Sequence, residues 1–199
     1  IRPILRGRDI KCYGYDWAGL WLIATFPSRQ YDIDLFPSLK GYLLSIGIER
    51  LEQTGKTHIV NGERIKARKK TNNKWFETQD SISYWEDFDK PKVVWNRIAS
   101  VKQFAFVQEQ MFIQDSMHFI VGSNLTYLCS VLNSKIFQWL LSMIIGDAAG
   151  GNAGNANNIM ELSIPPSIQD EAVDNEYLYS YYNLSEEEIH YIESQVSLL

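Results

Sequence analysis

Six cations stand within one short stretch: Arg64, Lys66, Arg68, Lys69, Lys70 and Lys74. Thr71, Asn72 and Asn73 are interleaved with them, and Trp75 and Phe76 follow. Lys and Arg neutralise phosphates and give an affinity that falls with salt. Arg pairs two donors with guanine, and Asn pairs a donor and an acceptor with adenine, in the major groove of a duplex. The chemistry of this stretch is therefore that of a DNA contact. A solvated basic loop has the same composition, so the run alone leaves both readings open. Arg97 is a further isolated cation in a strand-like segment.

Other chemistries find weaker support. His58, His118 and His190 are far apart, and none has metal-ligand spacing to another His or a Cys. The Gly-rich run after Gly146 lacks the Gly-Lys-Ser/Thr of a phosphate-binding loop. Asp87, Asp89 and Lys92 are spaced as in some metal-dependent nucleases, where carboxylates at a strand end hold the ion. Here they flank Pro91, and the simpler expectation is a solvated charged turn.

Net charge over the 199 residues is −5, but it is unevenly distributed. All 19 Lys and Arg lie at or before Lys135, with 14 of the 24 acids, a net of +5. The other 10 acids follow it, giving −10. A basic working part and an acidic part facing elsewhere would produce this split, as would an acidic tail that is merely solvated. At 45% hydrophobic and 13% aromatic the chain can bury a core. Two cysteines make no disulfide framework, and Cys129 reads as a small core residue in a reducing, cytoplasmic setting. The first residue is Ile1 rather than Met, which predicts a fragment of a longer protein, and no signal peptide or membrane span is evident.

These residues need elements to position them. Leu125, Leu128, Cys129, Leu132, Ile136, Leu140 and Ile144 recur at helical spacing and predict one long central helix over 125–145, capped by Ser123 and ended by Gly146. Leu20–Phe26 predicts a buried strand, and Ser38–Leu51 a helix with Leu39, Leu43, Ile46 and Leu51 inward, weakened by Gly47. Residues 53–73 read as a surface loop or loose hairpin, and Trp75–Phe88, aromatic and acidic by turns, as a segment with a short helix near Ser81. Lys92–Ile98, Phe104–Val107, Met111–Ile113 and Met117–Val121 read as strands. Residues 146–158 are almost all Gly, Ala and Asn and predict a mobile segment. Ser185 and Glu188 form a capping box for a terminal helix. The expected fold class is α/β or α+β, with short twisted strands packed on the central helix and a C-terminal helix. One domain spans 1–199, with a basic core part over 1–145 and a Gly/Asn-rich loop plus acidic segment over 146–199.

Four motifs in order carry a resemblance. They are Ile4-Leu5-Arg6-Gly7-Arg8-Asp9-Ile10-Lys11; Trp75-Phe76-Glu77 with Lys90-Pro91-Lys92-Val93-Val94-Trp95; Leu132-Asn133-Ser134-Lys135; and Ile164-Pro165-Pro166. Together they resemble the TaqI-like C-terminal specificity domain, the target-recognition domain of adenine-specific DNA methyltransferases and type IIG restriction enzymes. The resemblance implies that the chain selects a double-stranded DNA sequence and performs no bond chemistry. The Asn-Pro-Pro-aromatic motif of the methyltransferase is absent: Ser163-Ile164-Pro165-Pro166-Ser167 has neither its Asn nor its aromatic residue. A catalytic methyltransferase domain N-terminal to Ile1 would be the partner. The parent would use S-adenosylmethionine and Mg2+, with no cofactor and no metal in this chain.

The DNA-facing candidates are Arg64, Lys66, Arg68, Lys69, Lys70, Asn72, Asn73, Lys74 and Arg97, with Arg68, Asn72 and Asn73 favoured for bases. Arg6 and Arg8 either pair with Asp9 or contact backbone phosphates. Trp75 and Trp95 read as core aromatics before base-stacking ones. The rival reading is a protein-interaction or scaffold domain of a phage-defence complex, in which Glu176–Tyr182 docks a subunit.

Overall fold

The computed structural model describes residues 1–97, 103–145, 156–167 and 169–197. In chain order its first elements are β1 (Arg2–Leu5), β2 (Trp21–Leu22), α1 (Pro37–Ile46), α2 (Ile48–Leu51), β3 (Thr57–Val60) and β4 (Glu63–Lys66). There follow β5 (Lys92–Asn96), β6 (Phe104–Val107), β7 (Phe112–Ile113) and β8 (Met117–Val121). The helices α3 (Leu125–Asn133), α4 (Lys135–Ile145), α5 (Ala156–Met160), α6 (Asn175–Tyr181) and α7 (Glu186–Val196) complete the chain. The fold class is α+β. Contacts divide the chain into two units, one of residues 23–85 with Ile1, the other of residues 2–22 and 86–199.

In the larger unit β5 is the central strand, antiparallel to both β6 and β8. Lys92, Val93, Val94 and Trp95 are all buried, because both faces of the strand are covered. Val93 and Trp95 pack with Phe104 on Leu125, Cys129, Leu132 and Leu141 of the helices. Val94, one residue out of phase, packs with Leu5, Ile10, Ala105 and Met117. A second sheet pairs β1 antiparallel with β2 and parallel with β7. The predicted strands over 92–121 are present, and Ile98 lies outside the described residues. Trp95 and Cys129 are core residues, as expected.

The central helix is not continuous. Ser134 is extended, at φ −68° and ψ 156°, and separates α3 from α4. Side-chain hydrogen bonding explains the break. The Asn133 amide clips strand β6, accepting from the Phe104 amide N–H at 3.1 Å and donating to the Phe104 carbonyl at 2.8 Å. The Ser134 hydroxyl donates to the Val131 carbonyl and accepts from the Phe137 N–H, which caps the restarted helix. The restart changes the phase of the apolar stripe. Phe137 and Leu141 are buried, whereas the predicted Ile144 is exposed. The N-cap position is Asn124 in a left-handed conformation, not Ser123. The predicted end at Gly146 lies outside the described residues.

Helices α3 and α4 are buried on a second side as well. Tyr127, Val131, Ile136 and Phe137 pack against Leu178, Tyr179 and Ile192 of α6 and α7. Lys135 anchors the acidic segment through Glu193 at 2.7 Å, and its backbone N–H donates to Asn175 Oδ1. The capping box at Ser185 and Glu188 is formed. Of the segment predicted mobile, residues 146–155 lie outside the described residues, and Ala156–Met160 is a short helix with Ile159 buried.

Three further expectations need correcting. Only Trp21–Leu22 of the 20–26 run forms strand, and Leu20 and Trp21 are exposed, because β2 lies at a sheet edge. The 38–51 helix breaks into α1 and α2 at Gly47, whose φ of 100° no helix accommodates. Ile46 is consequently exposed rather than inward. No helix forms near Ser81; the nearest helical turn is a 3-10 turn over Trp85–Asp89. Among the described residues no helix is long and apolar enough to cross a membrane.

Candidate nucleic-acid interface

Residues 53–73 form a hairpin, one of the two forms expected. Strands β3 and β4 pair antiparallel in the register Thr57↔Lys66, His58↔Ile65, Ile59↔Arg64 and Val60↔Glu63. Asn61 and Gly62, with φ of 51° and 84°, make the two-residue connection that suits the right-handed strand twist. Directly paired residues share a face. One face therefore presents Thr57, Ile59, Arg64 and Lys66, all exposed. The other carries His58, Val60 and Ile65, half-buried, with His58 Nε2 contacting the Glu52 carboxylate.

A buried polar clamp holds the strand that leaves the hairpin. Gln53 is buried, and its Nε2 donates to the carbonyls of Lys74 at 3.1 Å and Glu77 at 2.8 Å. Gln53 Oε1 accepts from Thr71, and the Gln53 carbonyl accepts from the Thr71 N–H. The Arg68 guanidinium donates to three carbonyls: Leu51 at 2.7 Å, Glu77 at 2.8 Å and Trp75 at 2.5 Å. Burial lowers the Arg68 pKa from its ordinary value. The buried Glu77 carboxylate accepts from the Lys74 N–H. Gly55 passes close to this strand, where an added Cβ would lie 3.5 Å from the Lys70 nitrogen.

The predicted residues sort by this geometry. Arg64, Lys66, Lys69, Lys70, Asn72 and Lys74 are exposed on residues 23–85. No ion pair among the described residues includes Arg64, Lys66, Lys69 or Lys70. Lys74 Nζ reaches the Tyr31 carbonyl at 3.4 Å and lies over the Phe76 ring. Arg68 and Asn73 are held by the clamp; Asn73 Nδ2 donates to the carbonyls of Thr78 and Gln79. Arg97 is exposed and belongs to the other unit, where its N–H donates to the Ser116 carbonyl. Sequence reasoning missed Ile59, Gln53 and Glu77. Val60-Asn61-Gly62-Glu63 was the usable signal, because a two-residue Asn-Gly turn fixes which residues stand opposite one another.

The motif residues have structural roles. Arg6 pairs with Asp9 at 2.7 Å, and the buried Asp9 carboxylate also accepts the Arg6 N–H. Gly7 lies in close approach to Asn96: a Cβ there would lie 2.5 Å from Asn96 Nδ2, and that side chain would have to shift. Arg8 is exposed. Trp75 packs edge-to-face on Phe76 beside Ile33 and Leu43.

The expected solvated turn at 87–92 is corrected in part. Asp87 is ion-paired with the exposed Lys90 at 2.6 Å. Lys92, however, is fully buried, because it shares the covered face of β5 with Val94, and its Nζ donates to the Glu109 carbonyl at 3.1 Å. Burial pulls its pKa down to about 8 against the opposing pull of Asp89 and Glu109. Among the described residues no three His, Cys, Asp or Glu are grouped to hold a metal.

The sequence model of the TaqI-like C-terminal specificity domain matches residues 2–153. The chain belongs to that family. The match runs from β1 through the hairpin, the central sheet and the helix pair, and leaves α5–α7 outside it. A TaqI-like specificity domain recognises DNA within a restriction–modification enzyme and is not the catalytic part. No curated protein matches the chain.

Proposed function

We propose that this TaqI-like specificity domain selects the DNA target of a type IIG restriction–modification enzyme, an S-adenosylmethionine-dependent adenine methyltransferase with Mg2+-dependent endonuclease activity. Its partners are double-stranded DNA and a catalytic methyltransferase domain of the same parent chain, and its place is the cytoplasm of a bacterium or archaeon. The observation that carries the reading is the exposed cation set Arg64, Lys66, Lys69 and Lys70, which has no ion pair among the described residues and is presented on a clamped hairpin within a family of DNA specificity domains. Lys69, Lys70 and Lys74 contact phosphates, which position the protein without reading sequence. Arg64 and Asn72 are exposed and offer hydrogen-bonding heads for base edges. Arg68 and Asn73 support the loop instead of reading bases, since their donors already serve backbone carbonyls. Arg97 is a phosphate contact from the second unit.

The test is methylation of plasmid DNA by the parent enzyme with labelled S-adenosylmethionine, mapped by base, with residues 64–74 intact or exchanged for another loop of equal length. A changed methylation site supports the reading. An unchanged site at normal activity moves base selection away from this loop.

A second reading is favoured by one observation. Tyr177, Tyr181 and Tyr182 are exposed on an acidic segment outside the family match, as a protein-docking surface would be. Substituting the exposed Tyr177 and Tyr181 by Ala, which spares the buried Leu178 and Ile192, would then impair assembly of the parent complex while leaving its DNA affinity intact.

A further inference from the structure

Ile59 is 77% exposed in the middle of a regular strand. Its neighbours His58 and Val60 face the supporting residues, so strand alternation turns Ile59 outward together with Thr57. Across the ladder Ile59 pairs with Arg64, and Lys66 stands opposite Thr57. The outward face is thus one apolar side chain beside two cations that have no ion pair among the described residues. An isoleucine so placed contributes almost nothing to burial in the chain as it stands.

Shape and charge decide what covers it. A two-stranded ribbon fits the major groove of B-DNA, about 12 Å wide, and not the minor groove, about half as wide. Arg and Lys on such a ribbon meet phosphates or guanine edges, which gives the face its charge complement. At the floor of that groove the apolar group on a base edge is the thymine 5-methyl. We propose that the β3–β4 hairpin enters the major groove with Ile59 against a thymine methyl, and that Ile59 is a specificity-determining residue. This rests on the DNA-recognition reading above and adds to it a base and a residue.

The experiment uses the full parent chain, with this domain in place and its variants made there. Duplexes are recovered by selection from a randomised pool and resynthesised with uracil replacing one thymine at a time, which removes only the methyl group. Binding is measured for the wild-type chain, Ile59→Ala and the double variant Arg64→Ala/Lys66→Ala. At one thymine position, uracil weakens wild-type binding about fourfold, the factor for one methyl group withdrawn from water, and has no effect on Ile59→Ala. The exposure of Ile59 leaves the fold of that variant intact, which a melting curve verifies. If no position discriminates thymine from uracil, or if Ile59→Ala retains the discrimination, the thymine contact is overturned while DNA recognition stands. If Ile59→Ala weakens binding equally on both bases, Ile59 is a packing contact and the proposal fails. If the wild-type chain binds no duplex from the pool, the DNA-recognition reading fails too. The Arg64→Ala/Lys66→Ala variant is expected to lose affinity and to relax the sequence preference at the base that Arg64 meets.

Discussion

Lys92 and Arg68 both count as cations in the sequence, yet neither is available to a phosphate. Lys92 shares a strand face with Val94, and the chain buries it there beside Asp89 and Glu109. Its pKa, pulled down from 10.5 to about 8, carries a pH signature. Below pH 8 the residue is charged in both the folded and the unfolded chain, and the full penalty of burying an ammonium opposes folding. As pH rises from about 8 towards 10.5 the folded chain gives up the proton first, so the unfolded chain binds more protons and the penalty recedes. Lys92→Met removes that dependence. The difference in melting temperature, variant minus wild type, is expected to be most positive below pH 8 and to shrink by pH 10.5. A difference that stays constant over that window would mean that Lys92 does not titrate in it. Composition and spacing revealed neither burial. What the sequence did carry was the strand itself, and the two-residue period that places Lys92 with Val94 follows from it.

At the scale of elements, the hairpin depends on the clamp beneath it. Arg68 ties α2 to the 75–77 segment through three carbonyls, a planar arrangement that Lys cannot reproduce. Arg68→Ala is expected to destabilise the chain by about 1–3 kcal/mol, the cost of leaving acceptors unmatched. Arg68→Lys should recover little of it. Urea denaturation gives the loss, and protease sensitivity within 53–79 locates it; a variant that is as stable and as resistant as wild type removes the clamp from the argument. The elements themselves were legible where one physical signal dominated. Short apolar runs located β5, β6 and β8, and the Ser185–Glu188 box located α7. The long helix was misjudged because periodicity measures a face and not continuity. The break at Ser134 comes from Asn133 reaching Phe104, twenty-nine residues earlier in the chain, which no local pattern records. Likewise the Leu20–Phe26 run has strand composition but lies at an edge, and exposure there is a property of the sheet.

Across the whole molecule, net charge is a poor guide to the partner. The unit of residues 23–85 holds ten cations against seven acids, and the rest of the chain nine against seventeen. The acidic excess sits largely in α6, α7 and the residues leading to them, outside the family match. Within 23–85 the clamp removes Arg68 from the solvated charge, whereas Lys69 and Lys70, next to it in the chain, are exposed. These two should act on phosphates alone. Each phosphate contact contributes about 0.9 to the slope of log affinity against log salt. The double variant Lys69→Ala/Lys70→Ala is therefore expected to flatten the slope by about 1.8. It should weaken binding by a similar factor on every duplex and leave the selected sequence unchanged. Fluorescence anisotropy from about 50 to 200 mM salt spans the range in which counterion release dominates. An unchanged slope would remove both lysines from the interface, and a changed sequence preference would make them base readers. Loss of affinity with preference retained is the outcome that separates positioning by Lys69 and Lys70 from selection by the hairpin face.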